Sequence, residues 1–345
     1  MADRSSESHR RSTLADVAQL AGVDVSTASR ILNGDKIQRA SDETRKRVEG
    51  AAKTLAYQPN LHARSLRTSR TYTLGIAVPQ LDNPVYSQII LGAERGAREL
   101  GYSLLIAHVD QPGNGESAYE RLAQLNRVDG LLITTLNDDS EMLQAVKRAK
   151  VPFVLLNRKA KGVRNCIYFD SRQAAFLAVD HLIQQGHRRI AHLSGQVNPS
   201  TGIGRYAGYC DALEAAGIPL DPQLVDVSGY TINGGAEAIS RILDRAKSPP
   251  TAVFPLTLNA AAGAIMALNA RGLRVPKDMS VITVHDGPIA QVMHPPLTTI
   301  DMPSQQMGYE GAQALIQVIQ GDVKRVDRQM QPLGLKLRQT TRSIR

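Results

Sequence analysis

From Thr71 onward the chain alternates short apolar runs with longer amphipathic stretches, and this alternation constrains the fold more than any other feature of its 345 residues. Leu74–Val78 (LGIAV), Ser103–Val109 (SLLIAHV), Gly130–Thr135 (GLLITT) and Pro152–Asn157 (PFVLLN) have the length and aliphatic content of buried strands. Helical stretches lie between them, such as Tyr86–Leu100 and Ser140–Ala149. A second series has strands at Ile167–Phe169, Arg189–Gly195, Thr251–Leu256 and Val281–His285. Its helices are expected at Arg172–Gln185, Arg205–Ala216, Gly234–Ala246 and Asn259–Arg271. Buried strands alternating with helices make doubly wound parallel sheets, and two such series make two lobes. Ligands of open parallel sheets bind beyond the strand C-termini, so a cleft between two lobes is the expected site.

The first 70 residues have a different texture. Residues 1–12 are polar and charged and read as a disordered arm. Thr13 is a good N-cap, and Asp16 stands three residues on, where a capping box places its acid. Leu14, Val17, Ala18 and Ala21 recur at helical spacing, and Gly22 suits a left-handed stop. Asp24 can cap a second helix, Val25–Leu32, with Ala28, Ile31 and Leu32 facing inward and Asn33-Gly34 closing it. A third helix starts at Ser41 and runs towards Leu55, buries Val48, Ala51, Ala52 and Leu55, and is ended by Pro59. Two short helices joined by a tight turn and braced by a third make a helix-turn-helix, whose second helix enters the major groove. Its outward face carries Val25, Ser26, Ser29 and Arg30, short and polar rather than rich in Glu and Lys.

Charge supports a polyanion partner for this head. Residues 1–70 hold 13 Lys/Arg against 8 Asp/Glu, whereas the remaining residues are nearly balanced within a total of +9. Between Pro59 and Leu66, Asn60 can cap a helix of six or seven residues. That is too short to hold in water without a partner.

Other classes are disfavoured. No apolar run approaches the ~18 residues of a membrane span, and the first thirty residues carry no apolar signal segment, so a cytosolic, nucleoid-associated location and no membrane partner are expected. Cys166 and Cys210 form no CxxC pair, which argues against a disulfide scaffold or thiolate metal site. Gly202-Ile203-Gly204-Arg205-Tyr206-Ala207 matches a dinucleotide fingerprint only superficially, because Gln196–Thr201 separates it from its strand. No GxxxxGK[ST] or GxSxG is present, and His181, His187 and His192 lack metal-ligand spacing. No catalytic constellation and no cofactor are expected.

The runs TLADVAQLAGVDVSTASRILNG (13–34) and SDETRKRVEGAAKTLAYQPNLHARSLRT (41–68) resemble the DNA-binding head of the lactose-repressor (LacI) family. The resemblance implies that Val25, Ser26 and Arg30 face base edges. Arg30 can hold guanine O6 and N7 bidentately, Val25 can pack on a thymine methyl, and Ser26 can donate or accept. Thr27 and Ser29 would position phosphates, with Thr13 and Asn33 completing the contacting set. The segment after Pro59 matches the family's hinge helix. Two copies pair in the minor groove and wedge a leucine into the central base step, here Leu66, with Asn60, Ala63 and Arg64 beside it. Leu66→Ala is expected to lower operator affinity and bending.

HLIQQGHRRIAHLSG, RYAGYCDAL, RGLRVPKDMSVITVHD and HPPLTTIDMP are similar to the effector-binding core of the same family, so the resemblance spans about Thr13 to Leu337. It implies a periplasmic-binding-protein-like α/β core of two doubly wound parallel lobes joined by three crossovers, carrying an all-α helix-turn-helix head. The organisation expected is an arm at 1–12, the head at 13–58, a hinge and linker at 59–71, and a two-lobed effector-binding and dimerisation domain at 72–345. Lobe 1 would comprise 72–163 and 298–330, and lobe 2 would comprise 164–297 and the C-terminal strand. Effector contacts carried over by position are Asp82, Asn83, Tyr86, Asn157, Arg158 and Arg205. Two departures stand out. His285 replaces a usual carboxylate, and Thr257-Leu258 replaces a common Asn-Asp pair, so the pocket loses acids while keeping two arginines. An anionic effector such as a sugar acid, sugar phosphate or other carboxylate suits such a pocket. The expected function is a transcriptional regulator, a repressor, binding a palindromic DNA operator as a homodimer under the control of a small molecule. The alternatives are a non-catalytic sugar-binding module or enzyme with an incidental basic head and, within the family, control by a partner phosphoprotein acting as co-regulator. The tail lacks the heptads of a tetramerising coiled coil.

Overall fold

The computed structural model describes residues 12–32, 40–57, 70–81, 83–109, 127–134, 146, 150–195 and 200–344. They fall into two compact units that divide after Thr71.

The first unit contains α1 (Leu14–Ala21), α2 (Val25–Leu32) and α3 (Asp42–Thr54). Thr13 and Asp16 close the expected capping box, and Gly22 ends α1 at φ 63°, where only glycine escapes the Cβ penalty. Ser41 caps α3. Helix α3 ends at Thr54 with Leu55 as its cap, about where expected, but Pro59 is not what stops it. The chain leaves the helix at Leu55–Ala56, ahead of Pro59, because the Tyr57 N–H turns back to the Ala52 carbonyl and that of Ala56 to Lys53. This is a Schellman closure, built with Ala56 at φ 45°. Val17, Ala18, Ala21, Ala28, Ile31, Val48 and Ala51 make the shared core.

The second unit is built from two six-stranded sheets with the same internal order. The first sheet takes β1 (Thr73–Val78), β2 (Ser103–His108), β3 (Gly130–Ile133), β4 (Phe153–Leu156), β5 (Cys166–Phe169) and β11 (Asp327–Met330), in the order 11-5-4-3-1-2. The second takes β6 (Ile190–Ser194), β7 (Val225–Val227), β8 (Ala252–Pro255), β9 (Ser280–Val284), β10 (Thr298–Asp301) and β12 (Gly334–Lys336), in the order 12-10-9-8-6-7. Among the described strands only β12 runs antiparallel to its neighbour, pairing Ile300 with Leu335. The helices whose bounds are described are α4 (Pro84–Glu99), α5 (Ser171–Gln184), α6 (Ser200–Ala215), α7 (Ile232–Arg245), α8 (Leu258–Ala270), α9 (Pro288–Val292) and α10 (Ser304–Gln320). Of the helix expected at 140–149, only Val146 is described; it is helical and buried.

Strand pairing corrects the expected lobe boundaries. The strand at 166–169 was assigned to lobe 2, but it pairs with β4 and β11 in the first sheet. The strand at 298–301 was assigned to lobe 1, but it pairs with β9 and β12 in the second. Each lobe therefore uses five consecutive strands before the chain crosses, and the crossings follow β5, β10 and β11. The physical reason is edge satisfaction: β5 lies between two neighbours that use both rows of its backbone hydrogen-bonding groups. After the second crossing α10 returns to pack on α4 of lobe 1. The two helices touch backbone to backbone, since a Cβ on Gly92 would overlap the Gln305 carbonyl and one on Gly308 that of Ile89.

Candidate ligand cleft and nucleic-acid interface

Residues that follow β1, β4, β7, β8 and β9, with two from α6, line one cavity between the lobes. After β1 come Asn83, Val85 and Tyr86 at the start of α4, and after β4 come Asn157 and Arg158. From lobe 2 come Thr201 and Arg205 on α6, Tyr230 after β7, Thr257 after β8 and His285 after β9. The cavity they line is small, about 20 Å³. Such a site beyond the strand C-termini is where open parallel sheets bind ligands.

Local folding explains several of these placements. Asn83 caps α4, its side chain accepting from the Val85 N–H, which leaves Pro84 at a position that needs no donor. Thr257 caps α8 by accepting from the Ala260 N–H, so its hydroxyl oxygen serves the helix as well as the cavity wall. Asn157 and His285 each follow the third strand of their sheet order and sit at φ 68° and 70°. That left-handed conformation is uncommon for residues other than glycine and is characteristic of sites where geometry outranks local comfort. Asp82 lies outside the described residues.

The electrostatics centre on Arg205, which is 3 % exposed. Its Nη1 donates to the Leu256 carbonyl at 2.6 Å and its Nη2 to His285 Nε2 at 2.8 Å. A guanidinium only donates, so Nε2 must accept, and the remaining proton of neutral His285 sits on Nδ1. That N–H faces Ser304 Oγ at 3.4 Å, at the start of α10. Burial, and then the neighbouring Arg205 charge, hold the His285 pKa well below its usual range. Burial also pulls Arg205 down to about 10 and pushes the Tyr86 phenol up to about 12. At neutral pH the pocket thus contains a protonated Tyr86, a neutral His285 and a charged Arg205. Arg158 is buried on the opposite wall. No carboxylate is present among the described lining residues. Asn157 Oδ1, Arg205 Nε and the Tyr230 hydroxyl are buried and have no hydrogen-bond partner among the described residues.

Eight effector positions were expected. Seven of them, Asn83, Tyr86, Asn157, Arg158, Arg205, Thr257 and His285, converge on this one cavity. Val85, Thr201 and Tyr230 were missed. Tyr230 follows a strand of three residues, too short for a periodicity signal, and Thr201 belongs to a helix that begins five residues earlier than expected. The three histidines weighed as metal ligands have structural partners: His181 meets Thr341, His187 meets Thr251 and Ser280, and His192 meets the Phe254 carbonyl.

In the helical head, α2 buries Ala28 and Ile31 and turns Val25, Ser26 and Arg30 outward, with Val25 47 % exposed. Thr27 and Ser29 are half-buried. The Thr13 hydroxyl is engaged with Asp16 in the capping box. Asn33, Asn60, Ala63, Arg64 and Leu66 lie outside the described residues.

A helix-turn-helix head joined to a two-lobed core with an interlobe cleft defines a ligand-responsive, DNA-binding transcriptional regulator. Residues 13–60 match the family model for bacterial regulatory proteins of the lacI family, and residues 71–337 match that for periplasmic binding proteins and the sugar-binding domain of the LacI family. The transcriptional repressor CytR of Escherichia coli (strain K12) is 32 % identical over 334 residues, covering 96 % of this chain and 97 % of that protein. The lac repressor dimer bound to operator and the anti-inducer ONPF is 30 % identical with a TM-score of 0.82, covering 96 % of this chain and 100 % of that one. A sugar-binding transcriptional regulator of the LacI family from Escherichia coli, complexed with phosphate, is 31 % identical with a TM-score of 0.65, over 79 % of this chain and 99 % of that one. The chain belongs to the LacI family of bacterial regulatory proteins. Its fold and named relatives are those of transcriptional regulators, not enzymes. Among the described residues, no helix is long and apolar enough to cross a membrane.

Proposed function

We propose that this regulator is a repressor that binds a palindromic operator as a homodimer and takes an anionic small molecule in the interlobe cleft. The observation that carries the ligand class is Arg205. Its charge is buried, its two terminal nitrogens bond only to the neutral Leu256 carbonyl and His285, and its Nε–H has no partner. A buried cation with no carboxylate among the described lining residues is costly, and an incoming carboxylate or phosphate relieves that cost through charge-assisted bonds. The bare Asn157 Oδ1 suits a hydroxyl donor on the same ligand, which fits a sugar acid or sugar phosphate. The phosphate complex of one relative supports an anion in this fold, and the operator-bound dimer of another supports the assembly. The repressor title of CytR supports the direction of control.

Because the cavity draws residues from both lobes, a ligand has unequal affinity for open and closed arrangements, and it shifts the equilibrium by that difference. The test is thermal melting of the full chain against sugars, sugar acids, sugar phosphates and purines. A ligand at 100 times its Kd adds about 2.7 kcal/mol. The expected hit is anionic and is lost in Arg205→Ala. Tight binding of an uncharged sugar, indifferent to that substitution, overturns the ligand class. Repression is checked with a reporter under a selected operator, where expression that rises with the protein sinks the repressor assignment.

A further inference from the structure

The start of α2 contains a closed hydrogen-bond set that bears on which bases the head accepts. Ser26 Oγ donates to Asp24 Oδ1 at 2.7 Å, and Thr27 Oγ1 donates to Asp24 Oδ2 at 2.9 Å. Asp24 is the N-cap, its carbonyl accepting the first helical bond from the Ala28 N–H. An ionised carboxylate only accepts, so the direction of both hydroxyl bonds is decided: each hydroxyl hydrogen points at Asp24. These bonds also hold the Asp24 pKa below its ordinary value, so the carboxylate stays charged at neutral pH.

A serine hydroxyl has one hydrogen and two lone pairs. With its hydrogen given to Asp24, exposed Ser26 offers only lone pairs to whatever faces it. In the major groove the exocyclic amino groups of adenine and cytosine donate, whereas guanine O6 and thymine O4 accept. An acceptor-only Ser26 pairs with the first two and repels the others. The Asp24 carboxylate behind it disfavours O6 and O4 in the same sense. Resting on the assignment of α2 as the DNA-reading helix, we propose that Asp24 polarises Ser26 into an acceptor. One base position per half-site, read by Ser26, is thereby restricted to adenine or cytosine on the contacted strand. Asp24 is a positioning residue here; Ser26 makes the contact.

The experiment uses the full-length protein at low salt with a pool of randomised DNA duplexes, selected and sequenced for the wild type, Ser26→Ala and Asp24→Asn. Asparagine remains a good N-cap, so α2 is retained, but its amide donates as well as accepts and so frees a hydroxyl hydrogen. The expected result is a wild-type consensus with adenine or cytosine at one mirrored position, favoured over guanine and thymine by about tenfold. Ser26→Ala should flatten that position alone, and Asp24→Asn should admit guanine or thymine there while leaving the other positions unchanged. A consensus unaffected by either substitution overturns the inference, as does guanine or thymine at the position that Ser26→Ala flattens. Enrichment of no duplex at all removes the DNA-reading assignment beneath it, a distinct failure that takes the inference with it.

Discussion

Arg338, in the C-terminal tail, donates from Nη2 to Asp286 Oδ2 at 2.8 Å and fixes the residue that immediately follows pocket-lining His285. The same guanidinium reaches the Leu297 carbonyl and Thr299 Oγ1, and Thr299 donates to the other Asp286 oxygen. Both partners are largely buried, at 16 % and 12 % side-chain exposure. The tail is therefore part of the scaffold of the cleft. Arg338→Ala should destabilise the core by about 3 kcal/mol, because it strands a desolvated carboxylate. A double-mutant cycle with Asp286→Ala should show coupling above about 1 kcal/mol. Additive losses in urea unfolding would mean that the pair is decorative. Burial works against ionisation of Asp286, but the bonds from Arg338 and Thr299 prevail and hold its pKa below the ordinary value. The contribution is thus present at neutral pH and lost as pH falls through that lowered pKa.

His192 gives a second pH dependence, with a window that reaches higher. It is fully buried in lobe 2, stacked on Phe254 and Tyr209 with centroids 5.0 Å away in each case, and Nδ1 lies 2.8 Å from the Phe254 carbonyl. Burial lowers its pKa from 6.5 to about 4. The unfolded chain takes a proton near 6.5 that the folded chain refuses, so stability from this group is full above 6.5 and declines down to about pH 4. The loss approaches about 3 kcal/mol. His192→Phe keeps the stack and should flatten the fall in Tm between pH 6.5 and 4 relative to the wild type. Parallel curves would remove His192 as a contributor.

Two glycines should respond with opposite signs. Gly92→Ala drives a methyl into the Gln305 carbonyl where α4 meets α10, and neither backbone can yield without parting the helices. A loss of about 1–3 kcal/mol is expected. Gly50 lies within α3 with nothing within 4 Å of a Cβ, so Gly50→Ala should stabilise the head by about 1 kcal/mol through helix propensity. Calorimetry of the intact chain measures both, and a neutral Gly92→Ala would show that the two helices slide freely.

Arg30 is the α2 side chain expected to hold a guanine edge bidentately. Arg30→Ala should cost about 1–3 kcal/mol on the best duplex and relax one base position. Equal losses on selected and random DNA, measured by fluorescence anisotropy across a salt series, would reassign Arg30 to the phosphate backbone.

Much of this was legible before any coordinates. The capping box at Thr13, the stop at Gly22 and helix α2 follow from local chemistry, and local chemistry survives folding. Seven pocket residues were carried over from the resemblance to the LacI family, and most of them lie just past a strand or at the start of the next helix, where a parallel sheet presents ligand contacts. What stayed hidden was non-local. Whether Cys166–Phe169 pairs with β4 or with a lobe 2 strand depends on partners more than ten residues away, and nothing in the run CIYF encodes them. The direction of the Ser26 hydroxyl was hidden for a related reason. Part 13–34 of the chain shows that Asp24 stands nearby, but only geometry shows both carboxylate oxygens already engaged.

The crossings after β5, β10 and β11 also bear on how such a chain can be cut and recombined. Lobe 1 is assembled from residues on both sides of lobe 2, and lobe 2 is finished by a strand that comes after the last strand of lobe 1. Neither lobe corresponds to an unbroken stretch of coding sequence, so no single breakpoint within 72–345 yields a whole one. The two must mature together, and a nascent chain completes neither sheet until β11 and β12 have been made. Recombination that exchanges effector specificity has to carry the whole core as one block, whereas the head ahead of it can be traded at a single junction.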